Sequence, residues 1–440
     1  MFKRSLIFII LICALAIPTF IRMVKPGMFT TQDFHFFRLF EFDKCFKDLQ
    51  IPCRWAPDAG LGFGEPLFNF YGQLPYLFGE IIHISGFSLI DSLKSVFIFS
   101  LFASGVSMYF LAKRVWKDDL SSLISAIIYV YAPYRAVDVW VRGALPEALS
   151  FAIYPLILLS LDKFIDDEKT TGLMWFVLFL TALILTHNLS VLLFLPVILV
   201  WVLYRIINMK KYKLLLKIVS GFVLAGLLSS FYLIPVITEA KYINLDATTL
   251  GYFNFRGHYV ETSQLLFSRF WGYGASVFGP EDGMSLAIGQ IQWVIPVLTL
   301  LLILLKRKIF ENKTFVILFL LGWFLLFMTH NKSIFLWLRV DYLKYIQFPW
   351  RFLAPATFVF TLASGKIAQL FSKYKKLICL IIVVITIGLN YSFFGEDIWL
   401  NVKDSNLTGG EEWVRQRSAS IADYWPKFGV LPTEVASDNP

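Results

Sequence analysis

The sequence predicts an all-α protein that crosses a membrane many times. Of its 440 residues, 57% are hydrophobic and only 16% are charged, and the mean hydropathy is +0.66. A soluble domain usually carries about 25% charged and about 45–50% apolar residues. The apolar excess falls in long uninterrupted runs, not in amphipathic stripes, which is typical of membrane-spanning helices.

About eleven of these runs are candidate spans, since a helix needs roughly 20 mostly apolar residues to cross about 30 Å of hydrocarbon. We expect spans near 5–24, 93–112, 120–137, 144–162, 172–187, 189–206, 214–236, 286–305, 314–330, 352–371 and 377–394. The run at 120–137 is cut short by Pro133, Tyr134 and Arg135.

Positive charge in the short connections predicts the orientation. Lys and Arg cluster at Lys3/Arg4, Lys113/Arg114/Lys117, Lys210/Lys211/Lys213, Lys306/Arg307/Lys308 and Lys373/Lys375/Lys376. Such loops stay cytoplasmic. We therefore expect a multi-pass protein of the cytoplasmic membrane, with its N-terminus inside and its C-terminus outside. The net charge of +9 then reflects topology, and we expect the lipid bilayer and no nucleic acid as a partner.

The chain divides into two predicted parts. Residues 1–394 form a transmembrane domain whose loops 25–92 and 237–285 lie outside. Residues 395–440 form an external C-terminal segment, which we expect to be the start of a truncated soluble domain because no closing pattern precedes its end. Ala14–Ala16 also resemble a signal-peptide cleavage site, but the following Pro18 and apolar residues favour a retained span.

The first outer loop begins with a predicted helix. Residues 31–49 place His35, Leu39, Phe42 and Phe46 on one face, with charged residues elsewhere, which favours a helix lying at the membrane surface. Cys45 and Cys53 lie eight positions apart in the same loop. A disulfide could persist there outside the membrane, although sequence alone leaves the pairing open.

Asp33 is the first candidate for chemistry. It stands a few residues past the first span, among phenylalanines and next to His35. Partial desolvation of a carboxylate there would raise its affinity for a proton, as a general base requires. The alternative is a helix cap or first-turn acid near the positive end of the helix dipole. The residues alone leave both interpretations open.

Three further groups lie at outer ends of predicted spans. Arg142 and Glu147 flank Pro146, which suits either a helix start or a guanidinium clamp for a phosphate. Arg351, between Trp350 and Phe352, suits either an interfacial anchor or a phosphate contact. His187 and Asn188 occupy a turn that could simply be tight and polar, or could reach an outer cavity.

Several familiar chemistries have no signature in the sequence. There is no Walker loop, HExxH, GxSxG or CxxC motif, and the five histidines lack zinc spacing. We therefore expect no metal site and no cofactor, with a divalent metal left open. A transporter or flippase is less favoured, because inverted halves are not evident and the acids cluster at span ends and in loops.

The stretch "TTQDFHFFRLFEF" followed by "IPCRWAPDAGLGFGEPLFNFYGQLPYLFGE" resembles the bacterial and archaeal membrane proteins called 6-pyruvoyl-tetrahydropterin synthase-related. The resemblance continues in "RGALPEALSFAIYPLILLSLD", "THNLS", "QFPWRFL" and "DYWPKFGVLPTEV". The family name points to pterin chemistry, but no histidine cluster here could hold the zinc of such a synthase. The architecture looks instead like the C-type-fold (GT-C) membrane glycosyltransferases.

That second resemblance implies a function. It implies transfer of a sugar from a polyprenyl-phosphate donor on the outer face, with Asp33 as the catalytic carboxylate of the first outer loop. Arg142 and Arg351 would then stabilise the departing phosphate, supported by His35, Glu147, His187 and Asn188. The acceptor could be a glycan, a lipid or a protein. Phe34 stands where a second acid is often present, which keeps open a non-catalytic relative that binds lipid phosphates in envelope assembly.

Overall fold

The described chain is mainly helical. The computed structural model describes residues 2–30, 33–244, 248–418 and 424–436, without the side chains of residues 2, 3, 33 and 34. The helices of the first half are α1 Phe2–Ala16, α2 Asp33–Lys47, α3 Leu67–Phe70, α4 Leu74–His83, α5 Leu89–Trp116, α6 Asp119–Val130, α7 Pro133–Ala136, α8 Leu145–Asp167, α9 Thr170–Thr186 and α10 Asn188–Met209.

The second half continues the pattern with shorter pieces. Its helices are α11 Leu214–Leu228, α12 Ser230–Glu239, α13 Thr262–Leu266, α14 Gln290–Leu305, α15 Lys313–Phe327, α16 Ile334–Arg339, α17 Leu353–Ser364, α18 Ile367–Leu370, α19 Lys375–Asn390, α20 Asp404–Leu407 and α21 Gly410–Ser418. Strands β1 (Met28–Phe29) and β2 (Trp399–Leu400) pair antiparallel.

The all-helical membrane class is confirmed, but eleven full-length spans are not. Within the described residues, five helical stretches are long and apolar enough to cross a membrane: Leu89–Trp116, Leu145–Asp167, Asn188–Met209, Ile309–Phe327 and Lys375–Phe393. Two bent pairs, Asp119–Val130 with Pro133–Val141 and Leu214–Leu228 with Ser230–Tyr242, raise this number to seven. Three shorter apolar helices are Arg4–Thr19, Thr170–Thr186 and Gln290–Leu305.

Local chemistry explains why two of the predicted spans are broken. Pro133 has no N–H to continue α6 and disfavours helical geometry at Ala132, so the pair α6 and α7 bends by 46°. At Ser229 the hydroxyl donates to the carbonyl oxygen of Ala225 at 2.7 Å, where the pair α11 and α12 bends by 78°. Such breaks shorten the straight apolar length of each helix.

The basic loops meet at one end of the helices, where each is paired with acids. Arg114 and Arg205 both bind Asp162 and Asp166, and Lys375 binds Asp118. Residues 25–92 and 395–418 meet elsewhere, through the pairing of β1 with β2. This separation of charged loops agrees with a chain that crosses a membrane.

Helix α2 is covered by protein, so the expected membrane-surface helix is wrong. His35, Phe36, Leu39 and Phe42 are all buried, and α2 packs against α4, α5 and α21. The Trp413 ring of α21 lies 5.0 Å from the ring of Phe40. The apolar face of α2 thus faces other helices of the protein, and α21 covers another side of it.

Candidate functional site

The first element of the site is the start of α2. Asp33 is the first residue of this helix, but its side chain lies outside the described part. Two positions on, His35 is 4% exposed. Its Nε2 accepts from the backbone N–H of Leu145 at 3.3 Å, so in the neutral ring Nδ1 carries the proton and donates to the Tyr76 hydroxyl at 2.7 Å. His35 therefore ties α2 to the turn that precedes α8.

His35 is neutral at pH 7 in the folded protein. Burial, and then the positive charge of Arg38, lower the pKa of its imidazole from 6.5 to about 3. A base with so low a pKa takes up a proton poorly at neutral pH. The contacts of His35 fit a positioning role for this end of α2.

The second element is a π-helical turn, Val137–Val141, between α7 and α8. The N–H of Arg142 donates to the carbonyl of Val137 at 2.8 Å, which closes the wider ring of a π-bulge. The turn ends at Gly143, whose φ of +57° suits a residue without Cβ. Pi-bulges of this kind recur at functional sites.

Arg142 lies between two buried carboxylates. Its Nη1 lies 2.9 Å from Oδ1 of Asp138 and 2.7 Å from Oε2 of Glu147, and both acids have side chains at most 1% exposed. The Tyr134 hydroxyl donates to the other oxygen of Glu147 at 2.7 Å. Burial opposes the charge of Arg142, but Glu147, Tyr134 and Asp138 together outweigh burial and raise the pKa of the guanidinium. Arg142 is thus held charged inside an ion-paired network.

The structure confirms that Pro146 and Glu147 stand at the start of a helix, α8. Pro146 occupies the first turn of α8 and Glu147 is the acid of that turn. Glu147 therefore serves the helix start and the pairing with Arg142 at the same time. The interpretation as a helix start is thus confirmed, and the interpretation of Arg142 as a phosphate clamp stays a prediction.

Arg351 lies beside this network, and Asp138, Arg142, Glu147 and Arg351 together form one charged cluster. The guanidinium carbons of Arg142 and Arg351 lie 4.6 Å and 5.9 Å from the Trp350 ring centroid. Arg351 donates from Nη1 to the carbonyl oxygen of Ile346 at 2.8 Å and to Oε1 of Gln347 at 2.9 Å. Burial, and then the charge of Arg142, lower its pKa to about 10, so it stays protonated at pH 7.

A strained turn holds this arginine. Gln347 has φ +66° and ψ −49°, and the N–H of Phe348 donates to the carbonyl of Ile346 at 2.7 Å. These values define a γ-turn with positive φ, a conformation that a residue with a Cβ rarely adopts. Nε2 of Gln347 also donates to the carbonyl of Thr248 at 2.7 Å. The turn therefore links Arg351 to the loop of residues 237–285, which contains Thr248.

His187 faces the cluster, whereas Asn188 makes no contact with it among the described residues. Nδ1 of His187 lies 2.7 Å from the Ser190 hydroxyl. Burial lowers the pKa of His187 to about 4, although the charge of Glu147 favours the protonated ring. Oδ1 of Asn188 accepts from the N–H of Leu189, as in a tight polar turn. The sequence prediction of a polar turn holds for both residues.

The sequence interpretation missed several residues of this region. Arg38, Tyr134, Arg135, Asp138 and Gln347 are all at or beside the cluster. The spacing of Asp138 four residues before Arg142 was an available signal for an ion pair within a helix. Arg135 and Asp138 are fully buried in the second half of a bent span, so the charges are not confined to span ends as expected.

A disulfide closes the other end of α2. The structure joins Cys45 to Cys53, and Cys45 is buried. Cys13 and Cys379 are free. No grouping of three or more His, Cys, Asp or Glu side chains suited to a metal ion occurs among the residues that the structure describes, a set that excludes the side chain of Asp33.

Comparison with known proteins places the chain in a class and then in a family. The helical architecture and the buried charged cluster define a polytopic membrane protein. Residues 68–394 match the family described as 6-pyruvoyl-tetrahydropterin synthase related domain, membrane protein. The chain belongs to this family. Arg142, Glu147, His187 and Arg351 lie inside the matched range, whereas Asp33 precedes it.

Two individual matches are more distant. An uncharacterized protein of Lactococcus lactis subsp. cremoris (strain MG1363) is 24% identical over 216 residues, which cover 47% of this chain and 35% of that protein. The apo crystal structure of the Archaeoglobus fulgidus oligosaccharyltransferase aligns over 89% of this chain and 55% of that one, with a TM-score of 0.48 and 13% identity. The chain thus spans about a third and about half of these two proteins.

Proposed function

We propose that the protein is a membrane glycosyltransferase that takes a sugar from a polyprenyl-phosphate donor. The acceptor lies on the outer face of the cytoplasmic membrane, with the N-terminus inside and the C-terminus outside. The observation that carries the proposal is the meeting of Arg142 and Arg351 on the Trp350 ring. The turn after Arg142 also contacts His35, two residues from Asp33.

The proposed reaction is a displacement at the anomeric carbon of the donor sugar. Asp33 accepts the proton of an acceptor hydroxyl, and the acceptor oxygen forms a bond to the anomeric carbon. The bond between that carbon and the phosphate oxygen breaks, and polyprenyl phosphate leaves with the electron pair. Positioned guanidinium groups in a water-poor site stabilise the charge that develops on the leaving phosphate.

Each remaining residue has a part in this scheme. Arg142 and Arg351 supply positive charge to the donor phosphate, and Glu147 keeps Arg142 in place through the contact described above. His35 positions the start of α2, and His187 and Asn188 form the turn that borders the cluster. Within this proposal no step passes through a metal ion.

The test replaces the proposed base. Asp33→Asn removes the carboxylate and keeps the shape of the side chain. General-base catalysis contributes about 10²–10⁴-fold, so we expect transfer to fall by at least about 100-fold. The assay uses proteoliposomes with a radiolabelled polyprenyl-phosphate sugar, a membrane extract as acceptor source, and release of polyprenyl phosphate as readout.

Asp48→Asn is the matched control, because Asp48 follows the other end of α2 and is exposed. It should transfer at the wild-type rate. Full activity of Asp33→Asn would contradict the proposal. Binding of the lipid without turnover in the wild type would favour the non-catalytic lipid-phosphate-binding alternative. Movement of the lipid across sealed vesicles without covalent change would favour a flippase.

A further inference from the structure

A polar cavity lies at the opposite end of the helices from the charged cluster. Its volume is about 340 Å³, within the range of about 300–1,000 Å³ that is typical of ligand pockets. Side chains of α5, α8, α10 and α15 line it. Asp162 in its wall follows Glu147 on α8 by 15 residues, which is roughly 22 Å along the helix axis. The cavity is therefore separate from the cluster around Arg142.

Two arginines and two aspartates form a closed ring of ion pairs in the cavity wall. Arg114 lies 3.0 Å from Oδ2 of Asp162 and 2.7 Å from Oδ2 of Asp166. Arg205 pairs with Oδ1 of each aspartate, and its Nε lies 2.8 Å from that oxygen of Asp162. Each of the four carboxylate oxygens thus has an arginine nitrogen beside it. A cation in the cavity would meet carboxylates that are already compensated.

The polar groups that remain in the wall are donors. The contacts described for Arg114 and Arg205 use Nε and Nη2, and Nη1 of each has no partner among the described residues. Trp201 is 3% exposed, and its buried Nε1 also has no acceptor in that part of the chain.

Lys117 adds charge to these donors. It lines the same cavity, and no acid is paired with it among the side chains that the structure describes. The wall then carries three cations, Arg114, Lys117 and Arg205, against the two aspartates of the ring. An excess of donors and a surplus positive charge match an anion with several acceptor oxygens, such as a phosphate group.

An apolar groove lies beside the cavity, between α10 and the start of α15. Its volume is about 440 Å³, and its walls include Ile207 and Phe310, which are 59% and 84% exposed. The hydroxyl of Tyr204 in the groove lies 2.7 Å from the hydroxyl of Thr314 in the cavity, so the two spaces adjoin. The groove is therefore on the outside of the helices, where a membrane protein meets lipid.

We propose that the cavity and the groove together bind an acidic phospholipid, with its phosphate in the cavity and an acyl chain in the groove. The charge of the wall selects an anion, and the adjoining apolar surface selects an anion that carries a hydrocarbon chain. Basic pockets between transmembrane helices on the cytoplasmic side hold anionic lipid headgroups in other proteins. The Lys and Arg clusters predict that side for this end of the helices. The site is independent of the proposed sugar transfer.

Native mass spectrometry of the full chain in detergent measures the binding. The probes are phosphatidylglycerol, the zwitterionic phosphatidylcholine and the phosphate-free diacylglycerol, all with the same acyl chains. We expect the wild type to bind phosphatidylglycerol at least about 10-fold more tightly than phosphatidylcholine. Lys117→Gln should weaken phosphatidylglycerol binding about 5-fold and Trp201→Phe about 10-fold, because each removes a donor to the phosphate. Neither variant should change diacylglycerol binding.

Both variants leave the ring of ion pairs intact, so each should unfold as the wild type does in detergent without added lipid. Lys169→Gln is the matched control, because Lys169 is exposed in the turn between α8 and α9 and does not line the cavity. It should bind every probe as the wild type does. Unchanged phosphatidylglycerol binding in both cavity variants overturns the proposal, as does equal binding of phosphatidylglycerol and phosphatidylcholine by the wild type.

The groove is tested separately from the cavity. Phe310→Ala removes apolar wall and should weaken phosphatidylglycerol binding about 5-fold. Phe324→Ala, which changes an exposed residue further along α15, should not. Equal binding by these two variants contradicts the assignment of the acyl chain to the groove.

Glycerol 3-phosphate distinguishes a lipid from a soluble anion, because it carries the phosphate without acyl chains. Burial of a chain contributes about 0.8 kcal/mol for each CH₂ group, so we expect this probe to compete at least about 100-fold more weakly than phosphatidylglycerol. Competition at the same concentration as phosphatidylglycerol would assign the cavity to a free anion and overturn the proposal.

Discussion

Arg142 shows how much a single side chain contributes when its charge is buried with two acids. Removal of one partner from a buried ion pair typically costs about 3–5 kcal/mol, because the remaining charge is left uncompensated. In Arg142→Gln both Asp138 and Glu147 lose their cation. We expect a destabilisation of that order, measured as the free energy of unfolding in detergent. Lys117→Gln, at the left-handed end of α5, should change it little.

A second prediction at this scale concerns pH. The pKa of His35 is about 3 when folded against an ordinary 6.5, so between these values the unfolded chain binds more protons. The free energy of unfolding therefore rises with pH across that window, and this rise ends at about pH 6.5. His187 contributes with the same sign. Unfolding measured from pH 4 to pH 8 should show a shallower slope in His35→Gln.

An unchanged slope in His35→Gln would show that His35 is exposed or protonated in the folded protein. His83→Gln serves as the comparison, because its ring lies on the α4 surface and bonds to the carbonyl of Phe87. That variant tests whether any histidine substitution alters the slope.

At the scale of elements, the γ-turn at Gln347 makes a testable connection to Arg351. Gln347→Glu keeps the size of the side chain but places a carboxylate beside Nη1, where Oε1 of Gln347 now accepts at 2.9 Å. Arg351 would become an internally paired arginine like Arg142. We expect at least about 10-fold weaker binding of polyprenyl phosphate, and a lower melting temperature because a carboxylate cannot donate to the Thr248 carbonyl as Nε2 of Gln347 does.

Gln347→Ala separates charge from contact. It removes both side-chain hydrogen bonds of Gln347 without adding a negative charge. It should weaken polyprenyl phosphate binding less than Gln347→Glu does. Equal effects of the two variants would show that Arg351 responds to lost positioning and not to compensation of its charge.

The sequence predicted the elements better than their contacts. Long apolar runs located α5, α8 and α10, since hydropathy alone requires them to be helices in a membrane. The bend at Pro133 was visible as an interrupted run, but its consequence was not. Only the fold shows that the π-turn after the bend brings Asp138 and Glu147 to the same guanidinium nitrogen of Arg142. Arg38 looked like part of a polar face because cation–π contacts leave no spacing pattern.

At the scale of the whole molecule, the C-terminal segment stabilises helices far from it in sequence. Asp404 accepts the N–H groups of Leu89 and Ile90 at 2.8 Å and 3.2 Å, at the start of α5. Loss of such a cap costs about 1 kcal/mol. Asp404→Ala should therefore lower the free energy of unfolding by about that amount. Asp397→Ala, an exposed acid in the same segment, should not, and equal losses would contradict the capping role.

The joining of β1 to β2 carries a consequence for how the protein is made. Met28 pairs with Leu400, so β1 finds its partner strand only after the helices between the two strands have been synthesised. During translation, the side of α2 that α21 covers therefore stays exposed until the helices between them have been made. The β1–β2 pair therefore forms late in biogenesis, and a chain that stalls before Trp399 lacks it.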